Sequence, residues 1–62
     1  MSYILVKDVL IFSNQIKIVE EVQSYNATNL QITFIDGSTR FFYNTTLKDI
    51  KFGSGRSYEV KS

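Results

Sequence analysis

Catalytic chemistry in this chain would have to come from carboxylates, because the sequence contains neither histidine nor cysteine. The usual general base, the best nucleophile and the soft metal ligands are therefore missing. Glu20 and Glu21 are the one pair of adjacent carboxylates. Neighbours on a strand point to opposite faces, so these two can flank a single bond only if the strand bulges there. We predict that the protein is not an enzyme and uses neither a metal nor a cofactor.

A second kind of chemistry is the binding of nucleic acid by the basic C-terminal third. The candidate residues are Lys48, Lys51, Arg56, Tyr58 and Lys61. Small barrels can hold single-stranded nucleic acid when basic side chains contact phosphates and aromatic rings stack on bases. The formal net charge is only +1, however, and scattered lysines also serve simply as a solvated surface. Nucleic-acid binding is therefore the alternative function rather than the leading one.

The elements that position these residues must form one small domain covering residues 1–62. A hydrophobic content of 44% and an aromatic content of 15% are enough for a packed interior. A chain of this size buries only about 60% of its unfolded surface, so we expect a stability of roughly 3 to 9 kcal/mol.

Breaks in the chain are marked by small and polar residues, since proline is absent. They fall at Ser13-Asn14, at residues 24–29, at Asp36-Gly37 and at residues 53–57. The intervals are short and rich in β-branched and aromatic residues, which predicts an all-β domain.

The central hairpin is predicted from Asp36-Gly37, because a two-residue type I′ turn needs positive φ at both centres. Ile35 then pairs with Ser38, and this register determines which side chains share a face. The predicted buried face carries Leu30, Ile32, Phe34, Phe41 and Tyr43. The other face exposes the residues that we predict to bind a partner, namely Thr33, Ile35, Arg40 and Phe42, although two exposed apolar side chains are also ordinary on a surface.

The first segment, residues 3–12, is apolar on both strand faces. Its β-branched content favours a strand, but the spacing of Leu5, Val9 and Phe12 also suits a short helix. If Ser13-Asn14 is a turn, Ile11 pairs with Ile16. The exposed edge of such a strand predicts homodimerisation or strand addition to a partner.

Two features are predicted after these strands. The broken alternation at Glu20-Glu21 indicates a bulge in a long strand. Thr46, three residues before Asp49, resembles a capping box and predicts one short helical turn. Residues 58–62 then supply a last strand, on which Tyr58 and Val60 face the same way.

The predicted order of elements resembles the architecture of SH3-like small barrels over most of the chain. The resemblance implies a small five-stranded SH3-like barrel, partly open, with one 3₁₀ or short helical turn before the last strand. The tryptophan and the acidic loop of SH3 peptide-binding grooves are missing. Sm-like barrels, which begin with a helix, have a related strand order but also carry glycines that this chain lacks.

The leading functional hypothesis is a non-enzymatic binding protein that acts on another protein, such as a host or defence factor, as an inhibitor or modulator. Short length and the wealth of Ile, Lys and Asn suggest a phage or mobile element as its source. The apolar run at the start is interrupted at Lys7-Asp8, far short of the roughly 20 residues of a membrane span. We therefore expect a cytoplasmic protein with no membrane partner.

Overall fold

The computed structural model describes residues 2–52 and 58–61, and this part of the chain is all β, as predicted, with two 3₁₀ helices and no α-helix. The strands are β1 (Tyr3–Val6), β2 (Val9–Phe12), β3 (Ile16–Gln23), β4 (Thr28–Phe34), β5 (Thr39–Phe42), β6 (Ile50–Phe52) and β7 (Glu59–Lys61), and the 3₁₀ helices are Ser13–Gln15 and Leu47–Asp49. The strands form two sheets, ordered β2-β1-β6 and β5-β4-β3-β7.

The predicted number of five strands is wrong, because two further strands are present. The first segment is split into β1 and β2, and β6 follows directly after the second 3₁₀ helix. The described residues form no closed barrel; β6 returns to β1, whereas β7 runs parallel to β3 in the other sheet.

The first segment is a hairpin, which settles the choice between strand and helix. Lys7 and Asp8 have φ values of 47° and 68°, and Val6 pairs with Val9 across them. Two successive positive φ angles define the type I′ turn. The turn predicted at Ser13-Asn14, with Ile11 opposite Ile16, is therefore wrong: Ile11 pairs with Ile4, and the 3₁₀ helix Ser13–Gln15 carries the chain from one sheet to the other.

The central hairpin also departs from the prediction, because its loop has three residues instead of two. The Gly37 N–H donates to the Phe34 carbonyl at 3.0 Å, and the Phe34 N–H donates to the Ser38 carbonyl at 2.8 Å. Gly37 has a φ of 92°, whereas Asp36 is not among the residues with positive φ. This is a type I turn followed by a left-handed glycine.

Two contacts account for the longer loop. The Ile35 N–H donates to the Gln15 carbonyl at 3.0 Å, so Ile35 is held by the first 3₁₀ helix instead of pairing with Ser38. Asp36 Oδ1 accepts hydrogen bonds from the Ser38 N–H at 2.9 Å and from Ser38 Oγ at 2.6 Å. The register therefore shifts by one residue, and Leu30 faces Phe42 rather than Tyr43.

The shifted register exchanges the predicted inner and outer residues of β5. Phe42 is buried with 8% exposure, whereas Phe41 and Tyr43, predicted to be buried, are exposed. Their rings lie 6.4 Å apart between centroids. The core thus contains the single ring of Phe42, whereas the predicted register placed the rings of Phe41 and Tyr43 there.

One hydrophobic cluster contains residues from both sheets. Its buried members are Ile4, Val6, Ile11, Ile16, Val19, Leu30, Ile32, Phe42, Ile50 and Tyr58, with Val60 packed against them. Tyr58 and Val60 both pack into this core, so they face the same way, as predicted. The bulge in β3 lies between Ile16 and Ile18 rather than at Glu20-Glu21, which is a further correction.

The helical turn predicted from Thr46 and Asp49 is confirmed as the 3₁₀ helix Leu47–Asp49 with its capping box. The Thr46 N–H donates to Asp49 Oδ2 at 2.9 Å. Because this contact is local in sequence, residue spacing alone was enough to predict it.

Replacing Phe42 by alanine is expected to lower the free energy of unfolding by roughly 3 to 5 kcal/mol, because it leaves a cavity in the core. The matched variant Phe41→Ala, one residue away on the exposed face, should cost less than about 1 kcal/mol. Urea denaturation of both variants measures the difference. A larger loss in Phe41→Ala would contradict the observed register.

Asp36 should make the stability of the loop depend on pH. The two hydrogen bonds from Ser38 hold the pKa of Asp36 below its ordinary value of 3.8. A lowered folded-state pKa contributes stability that is present above 3.8 and is lost as the pH falls through the lower value. The difference in unfolding free energy between the wild type and Asp36→Ala should therefore shrink in acid. A difference in unfolding free energy that stays constant across the acid range would contradict this role. The variant Ser38→Ala removes only the hydroxyl donor, so its stability should retain part of the pH dependence.

Candidate functional site

The outer face of the three-stranded sheet carries four neighbouring apolar side chains. Tyr3 pairs with Phe12 and Leu5 with Leu10, and directly paired residues point to the same face. Tyr3, Leu10 and Phe12 are 40%, 51% and 46% exposed, and Leu5 is half-buried. We call these four residues the outer strip.

The strip exists because both faces of β1 and β2 are apolar. Alternation turns Ile4, Val6 and Ile11 into the core, and it leaves the residues between them outside. The outer face of an antiparallel sheet that meets solvent is ordinarily polar. The strip is therefore an exception to ordinary strand patterning and the strongest candidate for a binding surface.

A cleft of about 350 Å³ adjoins the strip at Leu5. It is lined by Leu5, Lys7, Asp8, Asn44, Asp49 and Lys51. The β1–β2 turn supplies Lys7 and Asp8, and Lys51 lies directly opposite Leu5 on β6. The cleft thus combines an apolar wall with two cations and two carboxylates.

The charges of the cleft are not joined to one another in ion pairs. Within residues 2–52 and 58–61 the one ion pair joins Lys61 to Glu59, at 3.4 Å and away from the cleft. Lys7 Nζ donates to the Tyr43 carbonyl at 3.1 Å, and Asp49 is occupied by the Thr46 N–H. Asp8 and Lys51 are the exposed charges of the cleft that make no contact of this kind with the described chain, so they are the groups best placed to meet a ligand.

The structure does not assemble the predicted partner-binding face of Thr33, Ile35, Arg40 and Phe42. Ile35 is 62% exposed in the hairpin loop, but Phe42 lies in the core. The Arg40 guanidinium lies 5.2 Å from the centroid of the Phe42 ring, as in a cation–π contact. Thr33 is half-buried and pairs with Thr39 rather than with Arg40. Arg40 therefore covers the edge of the core.

The predicted nucleic-acid residues are likewise dispersed. Lys48 and Lys51 are exposed, but only Lys51 lines the cleft. Tyr58 is buried with its ring in the core, and Lys61 pairs with Glu59. Arg56 lies outside the described residues. Among the described members of this set, no aromatic ring is therefore available to stack on a base.

The adjacent carboxylates are separated by the strand, as their spacing predicts. Glu20 pairs with Gln31 and Glu21 with Leu30, so the two side chains lie on opposite faces of the four-stranded sheet. Glu21 is half-buried, and its Oε2 accepts the Leu47 N–H at 2.8 Å. Glu21 thus holds the start of the second 3₁₀ helix, which carries Asp49 to the cleft.

The first segment is apolar on both strand faces, a pattern that predicted an exposed edge but not an exposed face. The residues of the strip are all in that segment, and the pattern of apolar side chains on both faces was the available signal. What was missing was the turn at Lys7 and Asp8, which decides which residues face outward.

In comparisons with known proteins the chain matches no family model, no curated protein and no solved structure. The described part of the chain has no helix with the length and hydrophobicity that a membrane crossing requires.

Replacing Glu21 by alanine is expected to lower the free energy of unfolding by about 1.5 to 3 kcal/mol, since it removes a charged acceptor from a part-buried N–H. Glu20→Ala, its neighbour on the opposite face, should change it by less than about 0.5 kcal/mol. Chemical denaturation measures both values. Equal losses in the two variants would contradict the anchoring of the 3₁₀ helix by Glu21.

Proposed function

We propose that the chain is a non-enzymatic binding protein whose ligand is another protein, held on the outer strip and in the adjoining cleft. The observation that carries the proposal is the continuity of the two features: four apolar side chains run side by side into a cleft with exposed opposite charges. This arrangement offers both the area and the directional contacts that protein recognition uses.

The composition of the strip favours a protein as the ligand. Tyr3 and Phe12 are large aromatic side chains with few rotatable bonds, and such residues anchor protein interfaces. About half of the surface of Tyr3, Leu10 and Phe12 is already covered in the free chain. Burying the remainder against a partner therefore contributes roughly 1 kcal/mol for each side chain before the costs of association. The strip can therefore supply affinity without a deep pocket.

The cleft favours a partner segment that combines apolar residues with a charged group. Asp8 and Lys51 lie at one end of the strip, so a segment laid along it would bring its charge to that end only. Electrostatic complementarity of this kind adds orientation and association rate more than affinity. The partner would thus be bound in one direction.

We infer further that the frame is a decorated SH3-like one. The chain order supports this inference: the β3-β4-β5 meander leads through the second 3₁₀ helix to β6, which returns to β1. On this interpretation β2 and β7 are additions to five basic strands. The outer strip then consists of β1 together with the added strand β2.

The test compares matched pairs of variants in a quantitative capture experiment with the immobilised chain. Lys51→Glu and Lys48→Glu make the same change of charge, but only Lys51 lines the cleft. Tyr3→Ser and Tyr25→Ser remove the same ring, but Tyr25 is fully exposed outside the strip. We expect Lys51→Glu and Tyr3→Ser each to weaken binding of the protein that the wild-type chain captures by at least about 10-fold, which corresponds to 1.4 kcal/mol. The controls Lys48→Glu and Tyr25→Ser should bind that protein as the wild type does.

Two results would contradict the proposal. One is an equal loss of capture in Lys48→Glu and Lys51→Glu, together with an affinity that falls steeply as the salt concentration rises. That combination indicates nucleic acid bound through its phosphates. The other is unchanged capture in both Tyr3→Ser and Lys51→Glu, with circular dichroism showing that the two variants remain folded.

A further inference from the structure

The strands at the edges of the two sheets differ in how they are protected against pairing with another strand. The edges are β2 and β6 in one sheet and β5 and β7 in the other. Three of them contain a charged residue: Lys51 in β6, Arg40 in β5, and Glu59 with Lys61 in β7. β2, with the sequence Val-Leu-Ile-Phe, contains none. Charges on edge strands are a common defence against strand addition, so β2 is the one undefended edge among the described strands.

The free backbone groups of β2 can be assigned from the hairpin. A two-residue turn makes its flanking residues, Val6 and Val9, a hydrogen-bonded pair, and bonded pairs recur at every second position. The bond from the Ser13 N–H to the Ser2 carbonyl, at 3.0 Å, follows the same alternation. The backbone groups of Leu10 and the N–H of Phe12 therefore point away from β1, toward the open edge.

We propose that β2 pairs with β2 of a second copy of this chain, antiparallel and about a two-fold axis, with Leu10 opposite Phe12 of the second copy. The three-stranded sheets of the two copies would then form one continuous sheet of six strands. This goes beyond the proposed function, which concerns a different partner on the face of the sheet rather than at its edge.

The register follows from which residues face outward. Directly opposed residues of an antiparallel pair point to the same face, so Leu10 must meet Leu10 or Phe12 of the second copy. If Leu10 lay opposite Leu10 of the second copy, Phe12 would lie opposite Asp8 of that copy. Opposite Phe12, Leu10 forms an aliphatic–aromatic pair on each side of the axis, and the axis passes between the two copies of Ile11.

Three properties of β2 favour a second copy over an unrelated strand. An antiparallel pair of identical strands is self-complementary and closes with two subunits, so it leaves no further open edge on β2. No like charges meet, because β2 is uncharged and Lys7 and Asp8 lie beyond the paired residues. Pairing also joins the two outer strips into one larger surface on the same face of the combined sheet.

Sedimentation of the purified full chain over a dilution series tests the dimer. We expect the wild type to pass from dimer to monomer as it is diluted. Leu10→Lys gives β2 the kind of charge that the other edges carry, and it should raise the dissociation constant at least 10-fold. Leu10 is half exposed, so the variant should fold, which circular dichroism checks. The control Ile35→Lys adds the same charge at an exposed apolar residue of the hairpin loop and should leave the dimer intact.

Cysteine cross-linking tests the register, since the chain has no cysteine of its own. Hydrogen-bonded partners have Cα atoms about 5.5 Å apart, within the range of a disulfide, whereas diagonal neighbours are about 7 to 8 Å apart. A mixture of Leu10→Cys and Phe12→Cys chains should form a mixed disulfide in high yield, and each variant alone should form little.

Two results would overturn the proposal. A wild type that is monomeric throughout the dilution series would show that the open edge is not used by a second copy. Efficient cross-linking of Leu10→Cys with itself would show that the strands pair in another register.

Discussion

The tight turn at Lys7 and Asp8 is the constraint on which the candidate site depends. Two successive left-handed residues fix β1 against β2, and a slip of one residue would turn every side chain of a strand to the other face. With the observed register, Ile4 and Ile11 enter the core while Leu5 and Leu10 remain outside. The same turn supplies Lys7 and Asp8 to the cleft, so it positions both the apolar and the charged part of the proposed surface.

The outer strip is costly for a chain of this size. A domain of 62 residues has a stability of only roughly 3 to 9 kcal/mol. Each half-exposed apolar side chain of the strip forgoes roughly 1 kcal/mol of further burial. Polar residues at these positions would also protect the molecule against aggregation. Apolar side chains on the face and an uncharged strand at the edge are consistent with a surface that is covered when the protein is at work.

The sequence predicted those features that depend on neighbouring residues. The capping box of Thr46 and Asp49 is such a feature, because both partners lie within one turn. Asp36-Gly37 predicted a turn in the right place but of the wrong type, since the bond from the Ile35 N–H to Gln15 joins residues twenty positions apart. That contact, invisible in the local pattern, moved the register by one residue and exchanged Phe41 for Phe42 in the core.

The candidate site was missed for a related reason. Lysine seldom adopts positive φ, so the pair Lys7-Asp8 indicated an interruption in an apolar run and did not predict a turn. The parallel pairing of β7 with β3 and the return of β6 to β1 are likewise decided by contacts between distant segments. Short-range patterns indicated the strand content of the molecule, whereas its sheets and its exposed face depend on tertiary contacts.

The central claim is that the face of Leu5 and Leu10 is open in the isolated chain and covered by a protein partner. Methyl NMR with a dissolved paramagnetic agent measures this directly. We predict strong broadening of the Leu10 methyl signals in the free protein, little broadening of Ile4 and Ile11, and recovery of the Leu10 signals when the partner is bound. Leu10 signals that stay broadened in the complex, while those of Ile35 recover, would contradict the account and return the binding surface to the hairpin loop.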